Sequence, residues 1–245
     1  MLFRSGLLSE NDNLICTINA LKWTEKIRAS VALILNKFCL ELDLKDIQFS
    51  IGVAVQQNWN RLWEKSIKRI EVCDNIVIMP SWKKPLKKDK SKIILRIDPK
   101  MSFGTGHHET TRLCLRALEK FVTYCDSILD FGAGTGILSV AAIKLGASKS
   151  IAIDNDEWTV GNLFENIKIN KVQRKVTPIF GGINKVPKTK FHLIIANIDF
   201  PTIKKNLSHL LKFLHKNGIL ILSGLLTSDE KEINKLGAEL GIEEE

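Results

Sequence analysis

The sequence predicts an α/β fold, a doubly wound and mostly parallel sheet, preceded by a small N-terminal α+β domain. Two observations carry this. From Ile93 onward, continuous apolar runs alternate with glycine-bearing turns and helical segments, as expected of parallel strands buried on both faces. Before residue 82 the strand-like and helical pieces are shorter and do not repeat in this way.

In the N-terminal part, Leu14–Ile18 and Ile47–Val55 read as strands around an apolar helix from about Leu21 to Leu40. Trp59–Lys65 reads as a short helix, and Ile70–Val72 and Ile76–Ile78 as strands around the turn residues Cys73–Asn75. The Lys83–Lys92 run, with six lysines in ten residues, reads as a solvated linker and sets the expected boundary between a domain at 1–82 and another at 93–245. In the second domain, Ser127–Asp130, Ile151–Asp154, Leu193–Asn197 and Ile219–Leu222 are strands. Helices are expected at about Thr110–Val122, Ile137–Leu145, Trp158–Asn170, Pro201–Leu214 and Ser228–Leu240.

With 36 Lys+Arg against 27 Asp+Glu the chain carries a net charge of +9, yet much of the excess lies in the Lys83–Lys92 run. Charge alone therefore does not argue for nucleic acid as a partner. The five cysteines are odd in number and show no C-x-x-C spacing, which fits neither a disulfide framework nor a zinc knuckle and suits a reducing cytosol. Met1–Arg4 is followed by polar Ser9–Asn13, which leaves no room for a signal peptide, and the apolar run Val31–Leu35 is too short to span a bilayer.

The chemistry concentrates in Asp130-Phe131-Gly132-Ala133-Gly134-Thr135-Gly136, between a strand and a helix. Glycines there admit positive φ angles and let a ligand touch the backbone. The D-x-G-x-G-x-G spacing differs from the G-x-G-x-x-G of dinucleotide folds. An acid at Asp130 would repel phosphate and attract the amino group and sulfonium of S-adenosylmethionine. Asp154 ends the next strand, 22 residues after Gly132, where doubly wound folds place a carboxylate for ribose hydroxyls. Asp156 is a weaker candidate for that job, and Asp154 could instead cap the helix beginning near Glu157. Asn197 ends a strand beside the same crevice and could accept from a substrate amine, or simply close the turn before Pro201. His107 and His108 are adjacent and lack partners at ligand spacing, so no metal site is expected.

The segment Ser102–Thr111 resembles the F-G-T-G-x-H-x-T-T motif of the ribosomal protein L11 methyltransferases. Asp130–Gly136, Ile153-Asp154 and Ala196-Asn197-Ile198 also resemble that family's glycine loop and strand ends, and the similarity runs from about Gln57 to Leu225. It implies a class I, Rossmann-like methyltransferase that uses S-adenosylmethionine. It also implies cofactor contacts at Thr111, Gly132, Asp154 and Asn197, and places Phe103, Thr105, Asp130 and Gly134 at the same site. His108 matches the family's histidine and is a candidate to shape the cofactor loop or act as a base, while His107 and Glu109 replace the commoner Thr and Pro. The implied substrate is a ribosomal protein, methylated on lysine side chains, its α-amine or both. The N-terminal unit would serve as its docking surface, and the full-length protein would be a cytoplasmic monomer.

The family normally adds two strands, forming an antiparallel hairpin, beyond the position of Ile219–Leu222. Here one helix and the acidic Gly241–Glu245 follow, so the reading is of a chain shortened at both ends. An uncovered edge at Ile219–Leu222 is then expected to favour association. Two other readings are an amino-methyltransferase acting on RNA or other nucleic acid, and a non-catalytic S-adenosylmethionine-binding protein. Nucleic-acid enzymes usually carry N-P-P-aromatic or D-P-P-aromatic where this chain has Asn197-Ile198-Asp199, which lacks both prolines.

Overall fold

A computed structural model of the chain describes residues 67–98 and 104–243, together with helical positions at 25, 29, 30, 33, 34 and 37. These six all fall in the helix expected between Leu21 and Leu40. The strands expected at Leu14–Ile18 and Ile47–Val55, and the helix at Trp59–Lys65, lie outside the described residues.

The chain divides into compact units at Met1–Ser66 and Ile67–Glu245, not at the lysine run. Strand β1 (Ile70–Cys73) pairs antiparallel with β2 (Ile76–Met79), and β2 pairs in parallel with β3 (Ile93–Arg96), beyond the run. The run is thus a connection inside one sheet. Its acid, Asp89, is wholly buried and accepts from Arg69 at 2.5 Å, while Lys88 and Lys92 pair with Glu71. The run is largely exposed, as a solvated segment should be, but it joins two strands of one sheet, and one buried, paired carboxylate fixes the turn that the lysines decorate.

The second sheet has the order β6-β5-β4-β7-β8 and is parallel throughout. Its strands are β4 (Ser127–Phe131), β5 (Lys149–Asp154), β6 (Val176–Phe180), β7 (Phe191–Asn197) and β8 (Leu214–Ser223). Between them run α1 (Glu109–Phe121, preceding β4), α2 (Ile137–Leu145), α3 (Glu157–Ile169) and α4 (Phe200–Phe213), and α5 (Glu230–Glu239) follows β8. Strand β6 has no counterpart among the sequence-predicted strands. Pro178 breaks its apolar pattern and is tolerated because β6 lies at the sheet's edge.

Alternate residues of β7 enter two cores. Leu193 and Ile195 pack with Cys114, Leu118, Val140 and Leu163 from α1, α2 and α3. Ile194 and Ala196 pack with Phe131, Ile153 and the α4 residue Leu210 on the opposite face. This is why the strands read as unbroken apolar runs. Strand β8 forms the other edge, where Ile219–Leu222 are half-buried, and no strand follows it among the described residues. No helix among those residues is long and apolar enough to cross a membrane.

Leu193 is fully buried and pairs in register with Ile128 on one side and Ile219 on the other. Leu193→Ala is expected to lower unfolding stability by about 2–5 kcal/mol, read by urea denaturation followed by circular dichroism.

Candidate cofactor and substrate site

The carboxyl ends of β4, β5 and β7 meet at one place, because the order of connections reverses around β4. The glycine loop springs from β4 and is stitched to β5: Gly132 and Ala133 both donate their N–H to the Ile153 carbonyl, at 2.9 and 3.0 Å. Gly132 has φ +77° and Gly136 has φ +79°. A Cβ on Gly132 would stand 2.3 Å from the Ile198 side chain, and one on Gly136 2.2 Å from Leu163. Glycine is required at both on conformational and steric grounds.

A cleft opens above this loop, lined by Gly104, Thr111, Gly132, Ala133, Gly134, Ile137, Leu138 and Asn197. Thr111, Gly132, Gly134 and Asn197, all expected from the sequence, therefore come together. Asn197 is nearly buried, and its Nδ2 lies 3.4 Å from the buried Thr111 Oγ1. Its Oδ1 has no hydrogen-bond partner among the described residues. Asp154 is half-buried at the end of β5. Its Oδ2 accepts from Gly134 N–H at 2.8 Å, and its Oδ1 accepts from Asp156 N–H at 3.0 Å. Each oxygen keeps a further lone pair for a ligand hydroxyl. Asp156 is the helix cap instead, accepting from Trp158 N–H and Thr159 Oγ1 at 3.0 Å each.

Asp130, expected as a direct partner of ligand amino and sulfonium groups, keeps one buried oxygen, Oδ1, without a hydrogen-bond partner among the described residues. It is wholly buried, and its Oδ2 accepts from Ser139 N–H at 3.0 Å and Ser139 Oγ at 2.8 Å. The physical reason is helix α2, whose N-cap is Gly136 and so offers no side chain for the unpaired N–H groups of the first turn. Asp130 supplies that acceptor from below. Burial, helped by the nearby Asp154 charge and opposed by the Ser139 hydrogen bonds, pushes its carboxyl up to about 7.

The remaining expected residues divide. Thr105 contacts His107 Nδ1 through its hydroxyl at 3.3 Å and does not line the cleft. His108 is the N-cap of α1: its Nδ1 accepts from Thr110 N–H at 3.3 Å and lies 2.7 Å from Thr110 Oγ1. The ring thus caps the start of the helix that carries Thr111. Phe103 lies outside the described residues. Among those residues no group of three His, Cys, Asp or Glu side chains is placed to hold a metal.

The sequence reading missed Ser139, Thr135 and Asn166. Thr135, wholly buried, donates its hydroxyl to the Gly104 carbonyl at 2.6 Å and joins the upstream glycine segment to the loop. Asn166 donates to the Thr135 carbonyl at 3.0 Å. A signal for the latter was present in the spacing of Asn162, Asn166 and Asn170, which puts three poor helix formers on one helix face.

The family described as "Ribosomal protein L11 methyltransferase (PrmA)" matches residues 7–243. The chain belongs to this family. A relative from Staphylococcus saprophyticus subsp. saprophyticus, named ribosomal protein L11 methyltransferase, is 33% identical over 88% of this chain and 69% of its own length. One of the same name from Acetivibrio thermocellus is 36% identical over 73% of this chain and 56% of its own length. The chain thus spans between about half and 70% of the length of these relatives. The crystal structure of a ribosomal protein L11 methylase from Lactobacillus delbrueckii subsp. bulgaricus superposes with a TM-score of 0.66 at 28% identity, covering 71% of this chain and 89% of that one. The fold is that of a class I methyltransferase.

The Asp130 carboxyl has a pH consequence. Because its folded value lies above the unfolded 3.8, folding favours the protonated form: that stability is complete below about 3.8 and is lost as pH rises to about 7. Melting temperatures of the wild type and Asp130→Asn, taken across that range, are expected to show the wild type losing ground to the variant as pH rises. Parallel curves would contradict the burial account.

Proposed function

We propose that this chain is an S-adenosylmethionine-dependent protein N-methyltransferase acting on amines of ribosomal protein L11, on lysine side chains, the α-amine or both. The observation that carries it is the Asn197 Oδ1, nearly buried at the cleft beside Thr111 and lacking a partner among the described residues. An orphaned acceptor in such a place is costly unless a ligand N–H completes it. The cofactor fits the residues present: a cleft lined by the bare backbone of Gly132 and Gly134, and a carboxylate at Asp154 with lone pairs to spare.

S-adenosylmethionine, when bound, supplies a methyl group already activated on a sulfonium. The task of the protein is then to hold partners in line and present a neutral amine. Asp154 would accept from the ribose hydroxyls, while Gly132 and Gly134 let the ligand lie against the backbone. Asn197 Oδ1 would accept an N–H of the incoming amine and aim its lone pair at the methyl. A lysine amine has an ordinary pKa of about 10.4 and must shed a proton before it attacks. Ile137 and Leu138 give the cleft an apolar wall that disfavours the ammonium form. Asp130 acts through the loop that it supports, and His108 through the start of α1. In this reading the N-terminal unit docks the substrate, and the full-length protein works as a cytosolic monomer that does not itself bind nucleic acid.

Incubation with labelled S-adenosylmethionine and, separately, purified ribosomal protein L11 and ribosomal RNA tests this. Label is expected on the protein alone. Label on the RNA would favour the nucleic-acid reading, and cofactor binding without transfer a binding role.

Asp154→Ala is expected to abolish detectable S-adenosylmethionine binding in calorimetry while the protein stays folded. Unchanged affinity in a folded variant would remove Asp154 from the ribose site.

A further inference from the structure

Helix α3 carries Asn162 and Asn166, and its C-cap is Asn170, at intervals of about one helical turn, so that their side chains share a face. All three are buried. Asn170 mimics a neighbouring strand: its Oδ1 accepts Arg96 N–H at 2.9 Å and its Nδ2 donates to the Arg96 carbonyl at 2.6 Å. Asn166 repeats the contact one step along, accepting Asp98 N–H at 3.0 Å. Its Nδ2, however, turns to the glycine loop and donates to the Thr135 carbonyl at 3.0 Å, with Asn162 Oδ1 at 3.4 Å. A backbone N–H on one side and a backbone carbonyl on the other leave only one orientation for this amide.

Thr135 stands between Gly134, whose N–H binds Asp154, and Gly136, the N-cap of α2. Its hydroxyl is tied to Gly104 at 2.6 Å. A shift at Thr135 therefore moves the cradle glycine and the carboxylate bonded to it. Asn170, the C-cap of the same helix, holds the same strand end and donates to the Asn166 carbonyl at 2.8 Å, but makes no bond to the glycine loop.

We infer that Asn166 is a positioning residue for the cofactor cleft: its amide holds the glycine loop at Thr135 in the register that receives S-adenosylmethionine. Asn170 serves only to join α3 to the strand end. The inference rests on the cofactor reading above and goes beyond it by assigning the control of affinity to a residue that does not line the cleft.

Calorimetric titration of S-adenosylmethionine and S-adenosylhomocysteine into the whole chain, with melting temperatures recorded alongside, separates the two roles. Asn166→Asp keeps the acceptor for Asp98 but sets an oxygen against the Thr135 carbonyl. Asn166→Ser is a second, milder variant, and Asn170→Ala is the control. Both Asn166 variants are expected to bind about tenfold or more weakly, whereas Asn170→Ala stays within about twofold of the wild type despite a comparable fall in melting temperature. Wild-type affinity in the Asn166 variants would overturn the inference, as would an Asn170→Ala variant whose affinity falls in step with its stability. Failure of both Asn166 variants to fold at the temperature of titration would make the residue a determinant of folding and overturn it too. Absence of binding by the unsubstituted chain would overturn the cofactor reading itself.

Discussion

Close backbone approach at the carboxyl end of β4 is the constraint on which the site depends. The space that a Cβ would occupy on Gly132 is filled by Ile198, from the loop after β7, and that on Gly136 by Leu163 of α3. Two neighbouring elements thus close onto the loop at glycines with no side chain to keep them apart. That convergence brings Asn197 and Thr111 to one wall of the cleft and the backbone of Gly132 and Gly134 to another. A methyl group at either glycine would push the walls apart before it touched any ligand, because packed interiors have little slack to absorb it.

Polar groups then hold what the glycines allow. The loop contributes backbone N–H and carbonyl groups that need partners once buried. They find them on two elements: Gly132 and Ala133 on the Ile153 carbonyl and Gly134 on Asp154, both of β5, and Thr135 on Asn166 of α3. Asp154 so serves structure and ligand at once. It anchors the loop through one lone pair of Oδ2 and keeps others for hydroxyls. Asp130 supplies through Oδ2 the acceptor that α2 lacks at its own N-cap, and burial holds its carboxyl up near neutrality against the Ser139 hydrogen bonds.

The alternation of apolar runs and helices was legible because both faces of the sheet are buried, so the centres of β4, β5 and β7 are apolar and their polar residues lie toward the strand ends. Strand β6 was not legible, since Pro178 is admissible only at an edge, and edge position is a property of the assembled sheet. The lysine run misled in a related way: its charge density suggested a linker, while the buried Asp89 and its partner Arg69 lie 20 residues apart. For the site, strand ends and the family resemblance pointed to Thr111, Gly132, Asp154 and Asn197, of which Thr111, Gly132 and Asn197 line one cleft. Motif spacing could not decide which of Asp130, Asp154 and Asp156 faces a ligand, because all three sit at element ends where either role is good chemistry. That choice is made by helix ends needing caps, which only the packed arrangement reveals. Asn166 escaped notice for the same reason, its two backbone partners being distant in sequence.

The central claim is that the glycine loop and the start of α1 form one receiving surface for S-adenosylmethionine. Amide hydrogen exchange of the whole chain with and without S-adenosylhomocysteine tests it most directly. Slower exchange in both 132–138 and 109–115, with β6 and α5 unchanged, is the expected result. Protection confined to segments away from these two, in a protein that demonstrably binds the ligand, would contradict it.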